Sequence, residues 1–103
     1  MPKWITDYYI GAGIKHPKKT RKKIDAGHLT VDVYLITLSE NPGNLLEIIP
    51  ASMLVQKSYA RICPTILGME KGKDAAIDMA AGIIKEIYET TGHFQVKDYF
   101  KNR

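Results

Sequence analysis

Two polar turns carry the residues best suited to holding an anion. Ser39, Asn41 and Asn44 stand in Ser39-Glu40-Asn41-Pro42-Gly43-Asn44, and Lys71 and Lys73 stand in Gly68-Met69-Glu70-Lys71-Gly72-Lys73-Asp74. Each turn follows an apolar run and precedes an expected helix, whose first N–H groups lack partners and carry a positive partial charge. In a parallel sheet the two turns share one edge, the usual place for ligands in open α/β folds. Glu70 and Asp74 in the second turn oppose an anion. A second candidate is the run Lys15-His16-Pro17-Lys18-Lys19-Thr20-Arg21-Lys22-Lys23. Lys18, Lys19, Arg21, Lys22 and Lys23 offer charge to a nucleic-acid backbone, and Trp4, Tyr8 and Tyr9 precede them as stacking surfaces. The aromatic residues are not interleaved with the charges, and no helix-turn-helix, zinc-finger or ribonucleoprotein motif is present.

Other chemistries find little support. Gly11-Ala12-Gly13 opens like a dinucleotide fingerprint, but the sixth position is His16. The Gly68–Lys73 turn has three residues between its glycines instead of four, and Asp74 replaces the magnesium-holding Ser or Thr of a phosphate loop. His16, His28 and His93 are too widely spaced for a zinc motif. Cys63 stands alone in an apolar run, the setting of an inert thiol. Asp32 falls in an apolar run near its start, which favours an exposed or paired structural role. No catalytic residue, metal site or cofactor is assigned.

The chain has 103 residues and a formal net charge of +4, carried unevenly. Residues 1–30 hold seven basic residues against two acidic ones, and the remainder holds eight against nine. With 45% hydrophobic residues the chain is too apolar for disorder, and its length suits one domain. A single Cys excludes an internal disulfide framework. No secretory h-region, membrane-length apolar run or lipidation signal is visible, which together with the lone thiol fits a cytoplasmic protein.

The elements that must position these residues read as a small single-domain α/β protein. Its expected form is a two-layer or compact three-layer sandwich containing a βαβ unit, with a mainly parallel sheet of two to four strands and about three helices. Residues 1–28 form a basic N-terminal arm and short helix, 29–92 a β-α-β-α core, and 93–103 a C-terminal strand or a tail docked by aromatic side chains. Within the arm, residues 1–16 read as a short strand or an ordered arm, and Pro17–Ala26 as a helix stopped by Gly27. Leu29–Leu38 is the clearest strand, with Val31, Val33 and Leu35 on one face and Tyr34, Ile36 and Leu38 on the other. Asn41 as N-cap and Pro42 as first residue predict a helix, kinked near Ile49 by Pro50 and running to about Ser58. Ile62–Met69 reads as a second buried strand. Asp74–Thr91 reads as an amphipathic helix with Ala76, Met79, Ala80, Ile83, Ile84 and Ile87 on one stripe and Gly92 as its stop.

The stretch Val33-Tyr34-Leu35-Ile36-Thr37-Leu38-Ser39-Glu40-Asn41-Pro42-Gly43-Asn44-Leu45-Leu46-Glu47-Ile48, with Gly68 and the helix from Asp74, resembles a group of short bacterial proteins of unknown function. The resemblance covers most of the chain from about residue 30. It implies no activity and carries over no catalytic residue.

The expected function is a non-enzymatic binding or interaction domain acting as a homodimer, with an unidentified protein partner a further candidate and no membrane contact. The first alternative is nucleic-acid or phosphate-ligand binding through the basic N-terminal segment. The second is a small enzyme with its site at the two strand-to-helix loops.

Overall fold

The computed structural model describes residues 2–101, so Met1 at the start of the arm and Asn102 and Arg103 at the end of the tail lie outside the described residues. Four strands form one mixed sheet in the order β1-β4-β2-β3: β1 Trp4–Ile10, β2 Val33–Leu38, β3 Leu46–Pro50 and β4 Ile66–Lys71. The helices are α1 Pro17–Asp25, α2 Lys57–Ile62, α3 Lys73–Thr91 and α4 Val96–Tyr99, with a 3₁₀ turn at Ala51–Val55. Helix α3 covers one face of the sheet through Ala76, Ala80, Ile83 and Ile87 against Ile5, Ile36 and Leu67. Ile24 of α1 and Leu54 of the 3₁₀ turn cover the other face, against Leu35, Ile66 and Met69. The molecule is thus a three-layer α/β sandwich.

The α/β class holds, but the sheet is not mainly parallel. Only β1 and β4 run parallel, and β2 is antiparallel to both β3 and β4. The expected βαβ unit fails at residues 41–50. Asn41 Oδ1 accepts from Gly43 N–H at 2.9 Å, Ser39 Oγ accepts from Asn41 N–H at 3.0 Å, and Asn44 N–H donates to Asn41 O at 3.0 Å. These bonds close a hairpin turn instead of capping a helix, a use that Asn, Pro and Gly serve equally well. Ile48 and Ile49 then pack on opposite sheet faces, as strand residues do. Pro50, which cannot donate to a ladder, ends this edge strand opposite Tyr34.

Strand β2 buries both faces as its pattern predicts. Val33 and Leu35 meet the α1 side and Tyr34, Ile36 and Leu38 the α3 side. It begins later than expected, because Asp32 takes a left-handed φ of 59° and β4 ends opposite Val33. Leu29 and Val31 are consequently 67% and 80% exposed. Pro64 precedes β4, so pairing starts at Ile66. Strand β4 carries one extra residue relative to β2: Ile36 faces Gly68 and Thr37 faces Ile66. Helix α3 matches its amphipathic stripe closely and stops at Gly92, whose φ of 77° is left-handed. The strand expected over 93–100 is a short helix. Val96 and Phe100 bury against α3, while Phe94 stacks on Tyr88 at 4.9 Å, so the tail docks by aromatic side chains. The arm also belongs to the core, since β1 and α1 supply Ile5 and Ile24 to it. Residues 29–92 run β2-β3-α2-β4-α3 in place of the expected β-α-β-α order, because residues 46–50 form a strand.

Candidate anion-binding groove

The antiparallel register separates the two turns. Lys71 pairs with Val33 at one end of β2, and Ser39 follows the other end, a span of roughly 20 Å along the strand. Ser39, Asn41 and Asn44 instead line a cavity with Phe94, Gln95 and Lys97, away from Lys71 and Lys73. The shared edge that would have made one site of these five residues does not form.

Lys71 finds different company. With Lys15, His16, Lys19 and Lys23 it lines a groove of about 380 Å³ between α1 and the Leu29–Val33 segment. No carboxylate lines that groove, and the one ion pair among the described residues, Arg21 with Asp25, lies elsewhere. Four exposed ammonium groups facing one concavity raise the local positive potential and attract anions over distances near the Debye length. Helix α1 starts beside the groove with Pro17 at its first position, no side-chain cap and no acidic residue in its first turn. Its first hydrogen bond runs from Thr20 N–H to His16 O, which leaves the N–H groups of Lys18 and Lys19 without helical partners. Thr30 also lines the groove, and its Oγ1 is buried without a hydrogen-bond partner. A buried hydroxyl of this kind calls for a water or a ligand oxygen.

The groove is held in shape by a buried carboxylate. Glu70, 8% exposed, accepts from Gly13 N–H at 3.1 Å and from Lys71 N–H at 2.7 Å through Oε1. The chain at Gly11 passes so close that a Cβ there would lie 2.0 Å from the carboxylate. The Gly11-Ala12-Gly13 sequence thus makes room for an internal acid instead of a dinucleotide. The same bonds tie the backbone of Gly13 to that of Lys71, and both residues line the groove.

The basic run divides into two parts. Lys18, Lys19, Lys22 and Lys23 are exposed, whereas Arg21 packs into the arm. Its guanidinium lies 5.0 Å from the Trp4 ring centroid and 5.1 Å from that of Tyr8, and its Nε lies 3.5 Å from Asp25 Oδ2. Trp4 Nε1 donates to Asp25 Oδ1 at 2.7 Å. Tyr9 donates to Glu86 at 2.5 Å. The rings offered by the sequence as a base-stacking platform are therefore engaged inside the protein. Sequence reasoning missed the part played by Lys15 and Thr30: Lys15 carried a signal in the basic run, and Thr30 carried none. A similar cavity at the other end of the sheet holds Lys3, Lys97 and Lys101, but it has neither an orphaned hydroxyl nor a helix start of adequate length.

Cys63 is poorly placed for nucleophilic work. Its thiol is half-buried and donates to Pro64 O at 3.3 Å, and burial pushes its pKa up to about 11. At pH 7 roughly one molecule in ten thousand carries the thiolate. Iodoacetamide at pH 7 is expected to label native Cys63 at least tenfold more slowly than the unfolded chain. The proton held to about pH 11 also means that stability is intact below the unfolded thiol's pKa and falls as pH rises through about 11. Cys63→Ala should flatten that alkaline decline in a pH series of urea melts.

No group of three or more metal-ligating side chains occurs among the described residues, and no helix among them is long and apolar enough to cross a membrane. Comparisons with protein-family models, curated proteins and solved structures found no match to this chain.

Proposed function

We propose that this protein is a non-enzymatic binding domain that holds a phosphate-bearing ligand in the groove between α1 and the Leu29–Val33 segment. One observation carries the proposal: Lys15, Lys19 and Lys23 of the basic run and Lys71 at the end of β4, two separate parts of the chain, line a single groove that contains no carboxylate. The free N–H groups at the start of α1 and the orphaned Thr30 hydroxyl supply hydrogen-bond donors to the same ligand. Recognition here rests on charge, because Trp4 and Tyr8 are committed to Arg21. A nucleic-acid backbone and a small phosphate ester share this chemistry.

Titration with a labelled 12-nucleotide single-stranded RNA and with inorganic pyrophosphate separates the two sources. RNA binding is expected to weaken steeply with salt, and each lysine replaced by Ala at positions 19, 23 and 71 to reduce the salt slope by about 0.7. The triple variant should lose at least tenfold in affinity for either probe. Binding of both probes at undiminished strength by the triple variant would place the anion elsewhere.

A further inference from the structure

Leu29 and Val31 are strand-type residues that stand outside the sheet. The β2–β4 ladder begins at Val33, opposite Lys71, so both residues precede it and are exposed. Their segment is nevertheless fixed at each end. His28 N–H donates to Lys23 O at 2.9 Å before it, and Gly72 N–H donates to Asp32 O at 2.8 Å after it. Between these bonds Leu29, Thr30 and Val31 line the same groove as Lys15, Lys19, Lys23 and Lys71. Single apolar residues on a surface are ordinary. Here two of them flank the orphaned Thr30 hydroxyl in the wall of a lysine-rich groove.

From this juxtaposition we infer that the groove takes its phosphate from an anionic lipid headgroup, with Leu29 and Val31 entering the acyl boundary of the bilayer beside it. The inference rests on the phosphate reading of the groove and names the source of the phosphate. A soluble phosphate ester or a nucleic acid would satisfy the lysines and leave both apolar side chains in water. A second copy of this chain would bring two lysine clusters together. An anionic bilayer offers phosphate and hydrocarbon on one surface, and so meets both parts of the wall. Stable surface attachment takes two such contributions together, one apolar and one basic. Each lysine close to an anionic surface adds roughly fivefold to affinity, and each buried apolar side chain about tenfold. Asp32 is the one acidic residue in the 28–32 segment and lies outside the groove wall. A contact of this kind needs no membrane-spanning helix, and none occurs among the described residues.

The test is sedimentation of the full chain with two kinds of sucrose-loaded vesicle, run beside a pyrophosphate titration. One kind is phosphatidylcholine alone, the other an equal mixture of phosphatidylcholine and phosphatidylglycerol. Binding is expected to the mixed vesicles and to be at least tenfold weaker to the neutral ones. Leu29→Ser combined with Val31→Ser should weaken vesicle binding at least tenfold, with pyrophosphate affinity and thermal midpoint unchanged. Lys23→Ala combined with Lys71→Ala should weaken both. The emission of Val31→Trp should shift to the blue on mixed vesicles and be quenched by lipids brominated in their acyl chains. The unsubstituted chain, whose Trp4 is packed against Arg21, should show neither change. Full-strength vesicle binding by the Ser pair, an unquenched Val31→Trp, or pyrophosphate or RNA binding with no vesicle binding would each overturn the inference and leave the phosphate site standing. Failure of the unsubstituted chain to bind pyrophosphate would overturn the phosphate reading and the inference with it.

Discussion

Gly68→Ala is expected to lower the thermal midpoint by roughly 15 °C. A Cβ at position 68 would lie 2.8 Å from the Tyr9 carbonyl oxygen and 2.9 Å from Tyr9 Cβ, with Met79 Sδ at 3.3 Å on the α3 side. The first two neighbours belong to the backbone and the branch point of β1, so no flexible side-chain end can move aside. Strand β1 must shift off β4 or the extra residue in β4 must rearrange. Overpacking of this kind costs about 3 kcal/mol. Gly82→Ala is the matched control. Nothing lies within 4 Å of its Cβ position in the middle of α3, so helix propensity alone acts and the variant should gain up to about 1 kcal/mol. Urea melts of the two variants should move in opposite directions. A Gly68→Ala loss below about 1 kcal/mol would contradict the close approach of β1 and β4.

Gly11→Ala should cost about 3 kcal/mol and should also weaken phosphate binding, although Gly11 lies outside the groove wall. The new methyl group would occupy the position of the Glu70 carboxylate, which would have to leave and give up its bonds to Gly13 N–H and Lys71 N–H. Both donors would lose their acceptor, and the groove-lining backbones at Gly13 and Lys71 would lose the link between them. Glu70→Ala breaks the same link from the other side. The two substitutions are therefore coupled, and the double variant should be barely less stable than either single one. Additive losses in the cycle would show that the glycine and the carboxylate act independently. Glu70→Gln keeps an acceptor oxygen and should recover most of the phosphate affinity lost in Glu70→Ala, a rescue that cavity formation alone would not produce.

What was legible in the sequence was local. The stripe of Ala76, Ala80, Ile83 and Ile87 and the stop at Gly92 specify α3 within a few residues, because helix pattern and cap agree there. Pro17 and Gly27 bracket α1 in the same way, and the double-faced apolar pattern of β2 specifies a strand covered on both sides. Strand direction was not legible. It depended on whether Asn41-Pro42-Gly43-Asn44 caps a helix or turns a hairpin, and those residues serve either purpose. The apolar spacing of Leu45–Leu54 fits a helix, and the pairing of Leu46–Pro50 with β2 overrides it.

That one choice decided the site. Parallel strands would have joined Lys71 and Lys73 to Ser39, Asn41 and Asn44, and antiparallel strands deliver Lys71 to the lysines of α1. The basic run was visible as charge. Its division between Arg21, packed on aromatic rings, and lysines left facing solvent required tertiary structure. From sequence alone Glu70 opposes anion binding. Buried and turned onto the backbone of Gly13 and Lys71, it braces the groove from behind.

The most direct measurement is an amide correlation spectrum of the ¹⁵N-labelled protein during titration with inorganic pyrophosphate at low salt. Binding in the groove predicts saturable shifts centred on Lys18 and Lys19 at the start of α1, on Thr30 and on Lys71, suppressed together by added salt. Shifts centred on Ser39–Asn44, or on Lys97 and Lys101, or no saturable shift at all, would contradict it.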